Sequence, residues 1–245
     1  MVFKAAKEEY INLLINIRDY FKESDNSIHK ARNEIKILDY ENRKLVVKAF
    51  KIPHFINKIV YNFFRDSKAK RSYENSVKLV NLGIKTPTPI GYIEFNSFLF
   101  FRESYYVCEY YNYDFEIRAV FKDDTFENKE EIIKQFIEFT FDLHNKGVYH
   151  IDYSPGNILV KKIEDKYEFY IVDVNRMKFV DFDLDLRMKS MMKLTSNSEY
   201  NKMIMSDYAK VSGLALDDVT SKFTYYLREQ EKYLEKKKKI KSYKL

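Results

Sequence analysis

Between residues 150 and 157 the chain reads His150-Ile151-Asp152-Tyr153-Ser154-Pro155-Gly156-Asn157, with a carboxylate and an amide five residues apart in a Pro- and Gly-containing loop. A further carboxylate, Asp173, follows Phe169-Tyr170-Ile171-Val172. Phosphoryl transfer needs this set. One carboxylate orients the attacking hydroxyl and accepts its proton, while an amide oxygen and a second carboxylate hold Mg²⁺, a hard cation that prefers oxygen ligands. Asp152 is then the base, and Asn157 and Asp173 are the metal ligands. Taken singly, Asp152 or Asn157 would more often be a turn residue; their joint placement with Asp173 carries the reading.

Such side chains act together only if the elements around them bring them together. Lys129 to Asn145 places Ile132, Ile133, Phe136, Ile137, Thr140 and Leu143 on one helical face, and Gly147 suits a left-handed cap. Val148-Tyr149-His150 is extended, Asp152 to Asn157 is a loop, and Ile158-Leu159-Val160 is a strand that pairs with Tyr167 to Val172, returning Asp173 beside Asn157. Upstream, residues 33–50 form two β-rich runs around Glu41-Asn42-Arg43, with Lys48 on the second. Ala69, Tyr73, Val77 and Val80 recur at helical spacing from Asp66 to Leu82, before Gly83. Pro87 and Pro89 forbid helix, and 90–109 reads as strands around Asn96-Ser97. Residues 183–239 are mainly helical by composition. The expectation is an α+β chain of two lobes with a cleft between them: an antiparallel β-rich N-lobe with one helix (1–110), a connector near 109–113, and a mainly helical C-lobe (111–245).

Composition excludes other classes. The 45% hydrophobic fraction fills a core, and Gly and Pro are too few for disorder or a collagen-like chain. Lys236, Lys237, Lys238, Lys239, Lys241 and Lys244 together equal the whole formal charge of +6, which leaves residues 1–235 neutral. The basic character therefore belongs to the tail, and no nucleic-acid partner is expected. Cys108 has no intrachain partner and lies in the apolar run Tyr105-Tyr106-Val107-Cys108, where a buried, unreactive thiol is expected. Asn12 and Asn16 interrupt the apolar patch Ile11 to Ile17, against a signal peptide, and no run reaches the roughly 20 apolar residues of a membrane span. A cytoplasmic protein is expected, with a peripheral contact to the inner membrane face as an option.

His-x-Asp-x₄-Asn, a hairpin and then Asp resembles the catalytic loop and metal-binding Asp of protein-kinase-like enzymes. More narrowly, Leu143-His144-Asn145-Lys146-Gly147, His150-x-Asp152, Ser154-Pro155-Gly156-Asn157-Ile158-Leu159 and Asp173-Val174-Asn175-Arg176 resemble the bacterial lipopolysaccharide kinase family, which phosphorylates Kdo or heptose sugars of the lipid A core. Ser67 to Glu74 and Gly83-Ile84-Lys85-Thr86-Pro87 are similar to Kdo-kinase-type sequences, so the resemblance covers roughly residues 30–180. It implies ATP and Mg²⁺ as cofactors and a lipopolysaccharide core or lipid A precursor as partner, with Kdo the preferred acceptor. A kinase wants a strand lysine on the nucleotide phosphates, which Lys48 fits, and a helical glutamate to hold it. Glu74 fits by elimination, as the only carboxylate between Asp66 and Glu94. For an anionic acceptor the cations nearest the expected cleft are Lys68, Lys70, Arg71, Arg176 and Lys178; Arg71 and Arg176 are favoured because a guanidinium grips a carboxylate or phosphate at two points. Glu109 and Tyr111 at the connector are the candidates for the adenine, although the aromatics Tyr105, Tyr106, Tyr110 and Tyr111 also read as ordinary core.

The sequence departs from protein kinases in several places. No glycine precedes Gly83, so no glycine-rich loop can cover the phosphates, and the polar stretch Ser24 to Asn33, with Lys30 and Arg32, is the candidate cover. Val174-Asn175 stands where a protein kinase has Phe-Gly, and Ser154 where a Ser/Thr protein kinase has Lys. No Ala-Pro-Glu follows Asp173, which argues for a small-molecule or glycolipid acceptor. His150 reads as a brace for the loop, and His29, His54 and His144 lack metal spacing. The lysine tail is either a solvated end or a contact with anionic headgroups. Two alternatives stay open: a soluble kinase of the aminoglycoside or choline type, and a nucleotide-binding pseudokinase.

Overall fold

The computed structural model describes residues 1–30, 33–50, 66–97 and 100–242. Arg32, His54 and Lys244 therefore lie outside the described residues. Contacts divide the chain into two units, Met1–Asn112 with Ile171–Arg176, and Tyr113–Tyr170 with Met177–Leu245.

In the first unit, strands β1 (Val2–Ala5), β2 (Ser27–Lys30), β3 (Asn33–Tyr40), β4 (Arg43–Phe50), β5 (Pro89–Ser97) and β6 (Phe100–Glu109) form an antiparallel sheet in the order β1-β5-β6-β4-β3-β2. Glu41 and Asn42 both take positive φ, 47° and 62°, and Tyr40 pairs with Arg43 across them. That is the backbone a two-residue hairpin needs to match strand twist, so Arg43 belongs to the strand rather than to the turn.

The two-residue period of β4 sorts its side chains onto opposite faces. Leu45 and Val47 join Leu38, Ile93 and Val107 against Leu13, Leu14 and Ile17 of the short helices α1 (Ile11–Ile15) and α2 (Ile17–Glu23). The apolar patch at the start of the chain is thus the cover of one sheet face. On the other face Val46 and Phe50 pack with Tyr92, Tyr106 and Cys108 against Ala69 and Tyr73 of helix α3 (Lys68–Asn81). Lys48, between Val46 and Phe50, shares this α3 face.

Helix α3 starts at Ser67, whose hydroxyl accepts from the Lys70 N–H at 3.0 Å, and ends before Gly83 at φ +70°. Its buried face is Ala69, Ser72, Tyr73, Ser76 and Leu79, while Val80 is exposed. The stripe is rotated from the one apolar spacing alone gives, because two serines are buried with their hydroxyls satisfied. Ser72 donates to the Lys68 carbonyl and Ser76 bonds the Tyr106 hydroxyl, both at 2.8 Å.

The second unit is built on helices α4 (Ile117–Lys122), α5 (Lys129–Asn145), α6 (Leu184–Met191), α7 (Ser198–Ser212) and α8 (Leu216–Ser242). Ile132, Ile133, Phe136, Ile137, Thr140 and Leu143 of α5 are all buried, together with His144. Small sheets carry the loops: β7 (Phe115–Glu116), β9 (Ile158–Ile163) and β10 (Lys166–Ile171) in the order β10-β9-β7, and β8 (Val148–His150) with β11 (Met177–Phe179). Gly147, at φ +70°, joins α5 to β8 where a Cβ would stand 2.9 Å from the Val180 carbonyl oxygen. Lys236, Lys237 and Lys239 are exposed on α8. Among the described residues no helix is long and apolar enough to cross a membrane.

Candidate active site

In the first unit the Lys48 ammonium forms an ion pair with Asp173. Lys48 is mostly buried on the α3 face of β4, with Nζ 5.5 Å from the Phe50 ring centroid. Asp173 reaches it because residues 171–176 are bound to this unit by their own hydrogen bonds. The Ile171 N–H donates to the Lys85 carbonyl at 3.0 Å, and the buried Thr86 hydroxyl donates to the Ile171 carbonyl at 2.8 Å. Asn75 on α3 donates its amide to the Val174 carbonyl at 2.7 Å. Between these anchors the chain turns at Asp173 with φ 58°, a left-handed conformation that Asp tolerates better than most residues. Asn175 then donates to Asp173 Oδ1 at 2.7 Å.

Glu74 is placed differently from the expectation that it holds Lys48. It lies one turn along α3 from Lys70 and pairs with that residue at 3.8 Å, and no ion pair joins it to Lys48 among the described residues. The i,i+4 spacing on one helix face is the cause. Lys70 is also bound to Asp66 at 2.7 Å, a hydrogen bond that raises its pKa. Lys68 stands over the Phe50 ring with Nζ 5.7 Å from its centroid. Arg71 follows on the same helix, and Arg176 is exposed at the end of the 3₁₀ turn that Asn75 ties to α3.

The polar stretch read as a phosphate cover contains a strand, β2, paired with β3 through Lys30 opposite Glu34; Lys30 lies 3.9 Å from that carboxylate. Along β3, Ile35 is opposite Lys48 and Asn33 opposite Phe50, so the start of β3 is two pairs beyond Lys48. Glu109 ends β6 opposite Leu45, with its N–H donated to the Thr88 carbonyl at 2.9 Å; Tyr110 donates to the Lys44 carbonyl at 2.8 Å, and Tyr111 follows, half-buried. Cys108 is buried beside these, and burial pushes its thiol pKa up to about 12.

In the second unit the loop 150–157 is held at almost every residue. The Asp152 N–H donates to the buried ring of His150 at 3.1 Å, and the Asn157 amide donates to the Asp152 carbonyl at 2.9 Å. This uses the amide nitrogen of Asn157 and leaves its side-chain oxygen outside that hydrogen bond. Tyr153 is buried with its ring nearly parallel to that of Phe136, centroids 6.0 Å apart, and its hydroxyl is 2.8 Å from that of Thr140. Burial raises the Tyr153 pKa, so it stays a neutral phenol. Pro155 opens the 3₁₀ turn that ends at Asn157, and the Arg118 guanidinium lies over Gly156 in the space a Cβ would take.

Two cations at this loop escape sequence reasoning. Arg118 is one. The other is Lys193, which donates to the Ile151 carbonyl at 2.9 Å and stands 3.8 Å from Asp152 Oδ1. No motif links positions 118 or 193 to the loop, because α4 and the α6–α7 turn bring them there only in the folded unit.

Among the described residues no cluster of three or more His, Cys, Asp or Glu makes a metal site. Each unit offers an oxygen ligand of its own, the Asp173 carboxylate in the first and the Asn157 amide oxygen in the second. Carboxylate and amide oxygens are the kind of ligand Mg²⁺ takes, one or two carboxylates ordinarily sufficing with phosphates and waters completing its shell.

The model of the lipopolysaccharide kinase (Kdo/WaaP) family matches residues 30–212. The chain belongs to this family. It is a kinase that phosphorylates sugar hydroxyls, a phosphotransferase with an alcohol group as acceptor. Among solved structures the chain is similar to WaaP in a complex with acyl carrier protein, at a TM-score of 0.66 and 15% identity over 95% of this chain and 99% of that one. The likeness shows the protein-kinase-like α+β fold that the sequence led us to expect. WbdD, co-crystallised with the kinase inhibitor LY294002, is similar at a TM-score of 0.46 and 12% identity over 84% of this chain and 48% of that one. No curated protein sequence matches the chain.

Proposed function

We propose that this lipopolysaccharide kinase transfers the γ-phosphoryl group of ATP to a hydroxyl of Kdo on a lipid A precursor. The observation that carries the acceptor is the charge of one element. Helix α3 bears Lys68, Lys70 and Arg71 in its first turns, and through Asn75 it holds the 174–176 turn that ends in Arg176. Kdo bears a carboxylate and the neighbouring lipid A bears phosphates, and both are matched by guanidinium and ammonium groups on a fixed helix. Lys178, on β11 of the second unit, belongs to the same reading.

In this reading Lys48 positions the nucleotide phosphates. Lys30 and Arg32 supply charge there in place of glycine amides, a role supported for Lys30 by the hairpin register beside Lys48. Glu74 is the helical carboxylate available to share Lys48 when phosphates draw on it; its long, exposed contact with Lys70 is worth only about 0–1 kcal/mol to give up. Glu109 and Tyr111 contact the adenine. Asp152 accepts the proton of the acceptor hydroxyl, and the hydrogen bonds of His150 and Asn157 to its backbone hold it still for that task. Asn157 and Asp173 would hold Mg²⁺, which when bound neutralises phosphate charge. The first unit supplies nucleotide positioning and the second the catalytic loop. Lys236, Lys237 and Lys239 on α8 give a screened attraction to an anionic membrane surface.

The test offers labelled ATP and Mg²⁺ with Kdo-lipid A, a heptose-bearing core, an aminoglycoside and choline in parallel. Label should enter Kdo-lipid A, and Asp152→Ala should abolish it. Transfer to heptose alone, or to a soluble cation, would overturn the acceptor; an active Asp152→Ala protein would overturn the mechanism.

A further inference from the structure

We infer that Lys193 is a positioning residue for the transfer step, one that ties the Asp152 carboxylate and the backbone before it to the α6–α7 turn. The inference rests on the reading of Asp152 as base. Four observations on the second unit lead to it.

First, the backbone at Lys193 is not that of a loose surface lysine. Met191 and Leu194 on either side are each 1% exposed, and the Leu194 N–H closes a turn onto the Met191 carbonyl at 3.0 Å. Asn197 then caps α7 by accepting from the Glu199 N–H at 2.8 Å. Second, the ammonium reaches two groups of the loop at once, at 2.9 Å from the Ile151 carbonyl and 3.8 Å from Asp152 Oδ1. Third, two further anchors of Asp152 act on its backbone: the N–H is held by His150 and the carbonyl by Asn157. Lys193 reaches the carboxylate itself, the group whose aim decides whether it meets the acceptor hydroxyl. Fourth, Lys193 and Asp152 are each one-third exposed, so the pair is neither a deeply buried structural bridge nor a fully solvated one.

An isolated exposed pair would contribute little to stability, and stability is not the role assigned here. A base oxygen must meet its proton within hydrogen-bond reach, and displacement of about 1 Å can cost on the order of a hundredfold in rate. The lysine narrows the rotamers of Asp152 and fixes the Ile151–Asp152 peptide, so it acts through another residue.

The test is steady-state kinetics of the full chain with Kdo-lipid A and ATP, for Lys193→Met, Lys193→Gln, Lys193→Arg and Asp152→Asn. Lys193→Met should lower kcat about 10- to 100-fold while both KM values stay within about twofold, with the thermal midpoint unchanged. Lys193→Arg, which keeps the charge and the donor, should recover most of kcat; Lys193→Gln should fall between. A Lys193→Met enzyme with wild-type kcat, or an Arg variant as poor as Met, would overturn the inference. Should Met lower the thermal midpoint, the Arg-to-Gln difference in kcat decides, and equality of the two counts against the tether. Wild-type turnover in Asp152→Asn would instead remove the reading on which the inference stands.

Discussion

Lowering the pH from 7 to 5 should cost the second unit about 2 kcal/mol through His144 alone. His144 is buried on α5 with both ring nitrogens engaged: Nδ1 is 2.8 Å from the Tyr208 hydroxyl and Nε2 is 2.8 Å from the Ser190 hydroxyl. Ser190 gives its proton to the Arg187 carbonyl at 2.7 Å, so its oxygen must accept from Nε2–H. Nδ1 is then the acceptor, taking the Tyr208 proton, while the Tyr208 oxygen accepts from Arg187 at 3.0 Å. One arrangement of protons satisfies every partner, and it requires a neutral imidazole. A second ring proton would point at a hydroxyl already donating and would place a cation near Arg187. Burial, and then the Arg187 charge, accordingly lower the His144 pKa from 6.5 to about 3. Between those two values the unfolded chain binds a proton that the folded chain refuses. The stabilisation is fully present above about pH 6.5 and falls by about 1.4 kcal/mol per pH unit below it, which gives the figure of about 2 at pH 5. Urea unfolding of wild type and His144→Gln at pH 7 and pH 5 isolates this contribution, because other titrating groups cancel in the difference. Equal pH losses in the two proteins, or an imidazole resonance of His144 that titrates near 6.5, would refute the reasoning.

Other predictions concern the first unit. Lys48→Met should leave stability within about 1 kcal/mol, since it exchanges a partly exposed pair for an apolar side chain beside Phe50, but lower kcat on the order of a hundredfold or more; unchanged turnover would remove Lys48 from the phosphate site. Gly91→Ala should destabilise the unit by roughly 1–3 kcal/mol, because its Cβ would stand 2.5 Å from the Lys4 carbonyl oxygen and 2.7 Å from Leu14 Cδ1; a wild-type melting temperature would contradict the close approach of β1 to β5. Cys108, buried and with its pKa raised to about 12, should react with a thiol reagent at pH 8 only as fast as the unit opens, and rapid labelling of the native protein would show the strand packing to be wrong.

What the sequence made legible divides along physical lines. Helix α5 could be read position by position because its buried face is almost wholly apolar and long enough for the 3.6-residue period to stand out. The β3–β4 turn was legible to within one residue, since Glu41-Asn42 interrupts two β-rich runs. Helix α3 was legible as a helix but not in its face, for Ser72 and Ser76 read as polar until their partners are seen. Lys48 could be placed on a strand, but its partner could not be read from helical position alone. Glu74 has a lysine one turn away on its own helix and takes it, whereas Asp173 comes to Lys48 from 125 residues along the chain. Lys193 and Arg118 gave no signal, because a lone cation outside a motif cannot be told from a solvated one by spacing.

Asp173 shows how tertiary anchoring adds to local reasoning. Following the hairpin from Asn157 locates this carboxylate at the end of β10 but says nothing of what holds it there. The hydrogen bonds of Lys85, Thr86 and Asn75 to residues 171 and 174 make a six-residue segment part of the first unit, together with the strand that bears Lys48. Its left-handed turn at Asp173 is therefore imposed from both sides, and a residue in that conformation persists only where its surroundings over-determine it. The consequence for chemistry is that the Lys48 ammonium and the Asp173 carboxylate belong to one unit. On the proposed reading, in which Lys48 positions the nucleotide phosphates, this charge arrangement is built within the first unit, in keeping with the preorganisation that electrostatic stabilisation of a transferring phosphoryl group requires.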